Sequence, residues 1–317
     1  MNMVSSKGLF SPAGAITATA LVLGIRMLSS KKEKASKSNG TPKIQIPISS
    51  ELSFTAELLS TPITKVYLFT FPKSPHIRNI SPFALKLESF LRLHNIPYEV
   101  VGTFQFSPKG QMPYIRLNNQ LNGPLIADSN FVIQFLTKKL GLLENNNNSQ
   151  YRLTKEQYAT SHAFTRMMEE HTSQIGFYYR YALNMDQFCL AVIPNGWFSN
   201  HGRVVGGWLM SKLFPVMMPL GFKKKMRYIS FGRHSDEEKW TISCQDIQSI
   251  SDFLGDKKFM FGDDATTLDC TLFGHLAQFL YIPMEFPQKV YMRENCGNIV
   301  EYVERFKELY WKDWDEM

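Results

Sequence analysis

Ser81 and Pro82 follow a β-branched, aromatic run, Val66 to Phe71, and a loop over 72–80. Serine followed by proline opens helices. The hydroxyl accepts from a free backbone N–H, and the fixed φ of proline suits the first helical position. A helix N-terminus offers unpaired N–H groups and the positive end of a dipole, which favour an anion such as a thiolate. A serine hydroxyl there can also donate to that anion. Three residues on stands Ala84. Neither position is a thiol, so dithiol redox chemistry is excluded at this motif. The plainer role of Ser81 is an N-cap and nothing more. Asp128-Ser129 reads as a second cap, and Thr266-x-x-Asp269 as a capping box that starts a core helix.

Other chemistry finds little support. The seven histidines include no i,i+4 pair and no H-E-x-x-H, so no metal cofactor is indicated. The four cysteines, Cys189, Cys244, Cys270 and Cys296, have no C-x-x-C spacing and read as reduced thiols. No P-loop, G-x-S-x-G or dinucleotide fingerprint appears. Lys and Arg number 35 against 28 acids, a net charge of +7, but residues 1–40 hold six bases and one acid. The rest of the chain is nearly balanced, so no nucleic-acid partner is expected. Lys223-Lys224-Lys225 reads as a solvated helix end.

The N-terminus carries its own signal. From Gly8 to Ile25 no charge occurs, a run just long enough to span a bilayer core. It is too long for a signal-peptide core and lacks the arginines of a transit peptide. The expectation is a membrane partner through residues 8–28, a retained single-pass anchor. The bases after it put the body in the cytosol, with endoplasmic reticulum, lysosome and mitochondrial outer membrane undistinguished. An acceptor at Asn147-Asn148-Ser149 would report a lumenal body instead.

Four units are expected: an anchor at 1–28, a flexible tether at 29–62, and two domains at 63–143 and 144–317. In the first domain, strands are predicted at 66–71, 98–101, 114–117 and 124–127, and helices from Ser81-Pro82 to Asn95 and over 130–140. That order, β-α-β then β-β-α, is the thioredoxin topology. After the polar linker at 144–149 the pattern is helical, with stretches over 151–183, 237–254, 266–281 and 290–310. Residues 203–222 read as a core helix with a Met-rich shoulder; Lys212, Pro215 and Pro219 argue against a second membrane span.

A thioredoxin-like domain followed by an all-α domain resembles the glutathione transferases, and within them the failed axon connections family, related to metaxins and nematode cadmium-responsive proteins. The resemblance rests on Ser81-Pro82-Phe83-Ala84-Leu85-Lys86-Leu87-Glu88, Lys109-Gly110-Gln111-Met112-Pro113-Tyr114-Ile115 and Ile126-Ala127-Asp128-Ser129. It continues in Gly232-Arg233-His234-Ser235 and in Phe261-Gly262-Asp263-Asp264 through His275-Leu276. It implies an α+β glutathione-transferase fold over about residues 64–310. It implies that Ser81 occupies the slot that meets the glutathione sulfur. Pro113 matches the cis-proline, and the Met112 backbone would pair with the cysteinyl backbone of glutathione. Asp128-Ser129 matches the pair that binds the γ-glutamyl end. Arg233-His234 either lines the cleft or fixes the segment entering the next helix.

The reading favours binding or interaction with a protein partner over detoxifying catalysis and leans away from an enzyme. One alternative is a serine-type transferase joining glutathione to a small electrophile, with Ser81 stabilising the thiolate. Another is a metaxin-like component of the mitochondrial outer membrane, though the charged end Tyr310 to Glu316 cannot supply a C-terminal span. Folds of this class also form homodimers.

Overall fold

A computed structural model of the chain describes residues 54–142, 153–193 and 207–316. The expected anchor at 8–28, residues 29–53 of the tether and the Asn147 acceptor lie outside the described residues. The expectation of a single-pass membrane protein facing the cytosol is corrected: among the described residues, no helix is long and apolar enough to cross a membrane.

After a short helix α1 (Ala56–Ser60), strand β1 (Val66–Thr70) runs parallel to β2 (Tyr98–Gly102), joined through helix α2 (Pro82–Leu93). Strand β3 (Tyr114–Leu117) lies antiparallel on the other side of β1, and β4 (Leu125–Ala127) antiparallel to β3. The order β2-β1-β3-β4 is the mixed sheet of a thioredoxin-like domain. Helix α3 (Ser129–Lys139) closes the unit. Central β1 is apolar at both kinds of position and buries Val66, Leu68 and Phe69, as a strand covered on both faces must.

Helix α2 is buried nearly all round, with only Phe83 and Arg92 partly exposed, the signature of a helix enclosed in a core. Its partner is α9 (Thr267–Tyr281), itself buried from Leu268 to Phe279. The two meet at Gly274, where a Cβ would lie 2.6 Å from Lys86 N and 2.7 Å from the Pro82 carbonyl oxygen. Glycine is required there because backbone faces backbone.

The helical domain begins with α4 (Lys155–Arg166), capped by Thr154 and Gln157 in a reciprocal box. A π-turn (Met167–Thr172), α5 (Ser173–Tyr178) and a second π-turn (Tyr179–Leu183) continue it without a break in helical backbone. Then come α6 (Met185–Val192), α7 (Gly207–Tyr228) and a 3-10 turn (Ser230–Arg233). Helices α8 (Asp236–Leu254), α10 (Pro287–Asn295) and α11 (Gly297–Tyr310) complete the set around α9. His234 accepts Lys239 Nζ on its carbonyl at 2.8 Å, so it fixes the entry to α8. Thr266 gives both its N–H and its hydroxyl to Asp269, which also receives Met260 N and the Tyr302 hydroxyl.

Two expectations fail locally. The stretch expected over 290–310 is two helices, divided at Cys296, whose φ of −130° and ψ of 56° are not helical. The expected core helix over 203–222 is α7, which contains Pro215 and Pro219 and leaves Val216 and Leu220 mostly exposed. Among its described side chains, Met226, nearer its end, is buried.

Candidate functional site

The register of the sheet gathers the expected residues at one end. Tyr114 pairs with both Phe69 and Ala127. Pro113 and Asp128 therefore sit side by side, one residue beyond the paired positions, and the loop leaving β1 toward Ser81 departs from the same end. The N-termini of α2 and α3 both open there, where the positive ends of two helix dipoles favour an anion. One turn in, Lys86 of α2 donates to Asn130 Oδ1 of α3 at 2.5 Å and ties the two helices together.

Ser81 is held from both sides. Its N–H donates to Asn79 Oδ1 at 2.9 Å, while Asn79 Nδ2 donates to the Phe71 carbonyl at 2.9 Å. The Ser81 Oγ accepts from Ala84 N at 3.3 Å, so the residue is the N-cap of α2. It is 7% exposed, and Ala84 is fully buried.

The Met112–Pro113 peptide bond is cis. The loop before it is closed by Ser107 N donating to the Gln111 carbonyl at 3.0 Å and Gln111 N donating to Ser107 Oγ at 3.1 Å. Gln111 Nε2 reaches Asp128 Oδ2 at 3.2 Å and so joins this loop to α3. Asp128 caps α3 through Oδ1, which accepts from Asn130 N and Phe131 N at 2.9 and 3.2 Å. Its φ of 81° is unusual for a residue with a side chain. Ser129, the first helical residue, is buried.

Behind this end lies a layer of buried polar groups drawn from the helical domain. Lys86 donates to Glu169 Oε1 at 2.6 Å, and both side chains are 1% exposed. Arg166 Nη2 and Asn130 Nδ2 bond the other oxygen at 2.5 and 3.1 Å. Burial alone favours a neutral acid and a neutral amine. The contacts from Lys86 and Asn130 outweigh it at Glu169 and hold that carboxyl below its ordinary range, while burial holds the Lys86 ammonium below its own against the pull of Glu169. Arg180 reaches across the domains: Nη1 donates to Gln278 Oε1 at 3.1 Å and Nη2 to the Ile80 carbonyl at 3.0 Å. Gln278 Nε2 in turn donates to the Asn79 carbonyl at 2.9 Å. The turn that presents Ser81 is thus fixed by α9 and by the second π-turn. Glu169 and Arg180 each sit on one of the two π-turns, backbone irregularities that recur at functional sites.

Lys86, Glu169, Arg180, His275 and Gln278 were not expected in this role. The bonds by which Lys86, Glu169, Arg180 and Gln278 join the two domains span 39 to 199 residues, and nothing in their spacing marks the pairing. The one hint is Arg180, a lone cation within Phe177-Tyr178-Tyr179-Arg180-Tyr181. Among the described residues no group of three His, Cys, Asp or Glu is placed to hold a metal.

Residues 82–188 match the glutathione S-transferase N-terminal domain and residues 244–306 the glutathione S-transferase C-terminal domain. Among characterised relatives, Failed axon connections of Drosophila melanogaster is 32% identical over 268 residues, 80% of this chain. The matched chain spans only 59% of that protein's length. An isoprene-epoxide–glutathione S-transferase of a Rhodococcus strain is 29% identical over 74% of this chain and 94% of its own length. Mouse Metaxin-2 is 23% identical over 73% of this chain and 82% of its own length. Among solved structures, a glutathione S-transferase of Ceriporiopsis subvermispora in complex with glutathione superposes with a TM-score of 0.50 at 15% identity. It covers 78% of this chain and 97% of that one, a likeness of fold.

Proposed function

The chain belongs to the glutathione-transferase-fold family that contains Failed axon connections and the metaxins, and from that premise we propose that it is a binding protein whose cleft receives glutathione. In this reading the Met112 backbone pairs with the cysteinyl unit, with Pro113 shaping the loop. Asp128 and Ser129 take the γ-glutamyl end at the N-terminus of α3. The Rhodococcus relative, by its name, acts with glutathione, which supports the choice of ligand.

The observation that carries binding over catalysis is the state of Ser81. Its oxygen is buried and already accepts from Ala84 N as a cap. No described base contacts it. A hydroxyl in that position holds α2 in place, and the helix N-terminus can take the sulfur without proton transfer.

The same hydrogen bond supports a second reading. Because the Ser81 oxygen accepts, its proton is free to donate to a thiolate. Ser81 would then be the catalytic residue of a glutathione transferase acting on a small electrophile.

One experiment separates the two. The full chain is titrated with glutathione by calorimetry and assayed for conjugation to a generic electrophile, with Ser81→Ala beside the parent. Binding in both proteins with negligible turnover supports the binding role. A rate that falls ~10²-fold or more in Ser81→Ala, the scale of one lost stabilising donor, makes the chain an enzyme. No heat at millimolar glutathione refutes glutathione as the ligand in either reading.

A further inference from the structure

Helix α7 has two unlike sides. The inner side packs on α5 and the second π-turn. The Phe222 ring lies 4.8 Å from that of Tyr181 and 6.4 Å from that of Phe177. Lys225 Nζ donates to Gln174 Oε1 at 2.8 Å, and Met226 is buried. The outer side is a continuous stripe. Val216, Leu220, Lys223, Lys224 and Arg227 are all exposed and recur at intervals of three and four residues, so they share one face of the helix. The stripe changes character along its length. Val216 is 61% exposed and Leu220 66%; three cations follow, and Tyr228 closes the face.

The charge of this region is of one sign. Between Asp186 and Asp236 the chain has seven lysines and arginines and no acid. The near balance of charge in the body of the chain therefore hides a local excess. The matched glutathione S-transferase domains end at residue 188 and resume at 244, so α7 lies outside both.

Three kinds of partner carry the complementary charge. A nucleic acid would engage the cations through its phosphates and leave Val216 and Leu220 in water. Protein interfaces are depleted of lysine in favour of arginine and aromatic residues, whereas two of these three cations are lysines. An anionic bilayer uses both halves of the face. The apolar turns enter the headgroup boundary while lysine and arginine meet the charged headgroups. Tyrosine suits the same boundary.

We infer that α7 is a docking helix for an anionic lipid surface, which it meets through Val216, Leu220 and the cations that follow them. It rests on the bilayer and does not cross it; among the described residues no helix is long and apolar enough to do so. The inference stands apart from glutathione binding.

The full chain is floated with vesicles of phosphatidylcholine alone or mixed with phosphatidylserine. Deuterium uptake of the 215–228 peptide is followed by mass spectrometry in the same samples. The expected result is stronger flotation with phosphatidylserine, weakening as salt is raised, together with slowed uptake at 215–228. Each cation near an anionic surface contributes about fivefold to partitioning, so Lys223→Gln/Lys224→Gln/Arg227→Gln should lose roughly 10²-fold of the gain from phosphatidylserine. Leu220→Ser should weaken binding and keep its dependence on salt. All four side chains are exposed, so these variants keep the fold. The peptide reading is local, and binding by another segment of the chain cannot imitate it. Unchanged uptake at 215–228 on vesicles that float the chain overturns the proposal, as does equal slowing on the two kinds of vesicle or no flotation at all. Protection of 215–228 by a DNA duplex and not by vesicles would assign the face to nucleic acid and overturn it likewise.

Discussion

Replacing Gly274 by alanine tests the joint between the two domains. The new Cβ would stand 2.6 Å from Lys86 N, 2.7 Å from the Pro82 oxygen and 2.9 Å from Lys86 Cα. All three are backbone atoms of α2, so no side chain can swing aside. Ordinary contact begins at 3.4 Å, and α2 would have to retreat from α9 by about 0.8 Å. Overpacking of this kind costs about 1–3 kcal/mol, and a rigid backbone neighbour puts it at the upper end. Alanine returns about 1 kcal/mol of helix propensity. The net loss is therefore about 2 kcal/mol, or roughly 4–8 °C in melting temperature. The matched control is Gly221→Ala in α7, where a Cβ meets nothing within 4 Å; that variant should melt at or above the parent. Thermal unfolding of both, followed by circular dichroism, reads the two signs. If Gly274→Ala melts within a degree of the parent, or above it, then α2 and α9 do not meet as closely as described, and the argument fails.

Other perturbations have equally definite outcomes. Lys86→Met leaves the Glu169 carboxylate with Arg166 and Asn130 alone and should cost about 3 kcal/mol in urea unfolding. Adding Glu169→Gln should recover at least ~1 kcal/mol relative to additivity; strict additivity would show the pair is not coupled. Trp311→Ala removes a buried indole that donates to Ser89 Oγ at 3.1 Å and lies 4.0 Å under Arg92, at about 3–5 kcal/mol by denaturation. The hydrogen bonds from Arg92 depress the Asp313 carboxyl to about 2 from its ordinary 3.8. A depressed carboxylate stabilises the fold above its unfolded value, and the contribution fades as pH falls toward the folded one. Asp313→Asn should therefore flatten the stability profile between about pH 4 and pH 2, and an unchanged slope would show that Asp313 is not the group titrating.

What could be read from sequence was local. Ser81-Pro82 announced the start of α2, Asp128 the start of α3 and Thr266-x-x-Asp269 the start of α9, because a cap and the N–H groups it satisfies lie within three residues. The strands of the thioredoxin-like unit were legible from β-branched and aromatic runs between turn residues. The layer behind the cleft was not. Arg180 binds the Ile80 carbonyl 100 residues away, and Gln278 binds Asn79 across 199; such pairs leave no trace in spacing. The helix expected over 203–222 does form through Pro215 and Pro219 as α7, but Val216 and Leu220 on it are mostly exposed. The break at Cys296 went unseen because Met292 and Ile299 continue an apolar spacing across it, and both are buried.

Asp313 holds Arg92 by two hydrogen bonds, at 2.6 and 3.0 Å, and lies within 3.3 Å of Arg78. The partners are separated by 221 residues of chain. At synthesis rates of about 5–20 residues per second, α2 leaves the ribosome roughly 10–45 s before Asp313. For that interval Arg92 has only Glu88, four residues before it in α2, as a counter-charge, and lacks the indole of Trp311. The nascent chain is thus vulnerable at the helix that carries Ser81, and a chaperone or a bulky fusion that delays residue 313 would prolong that exposure.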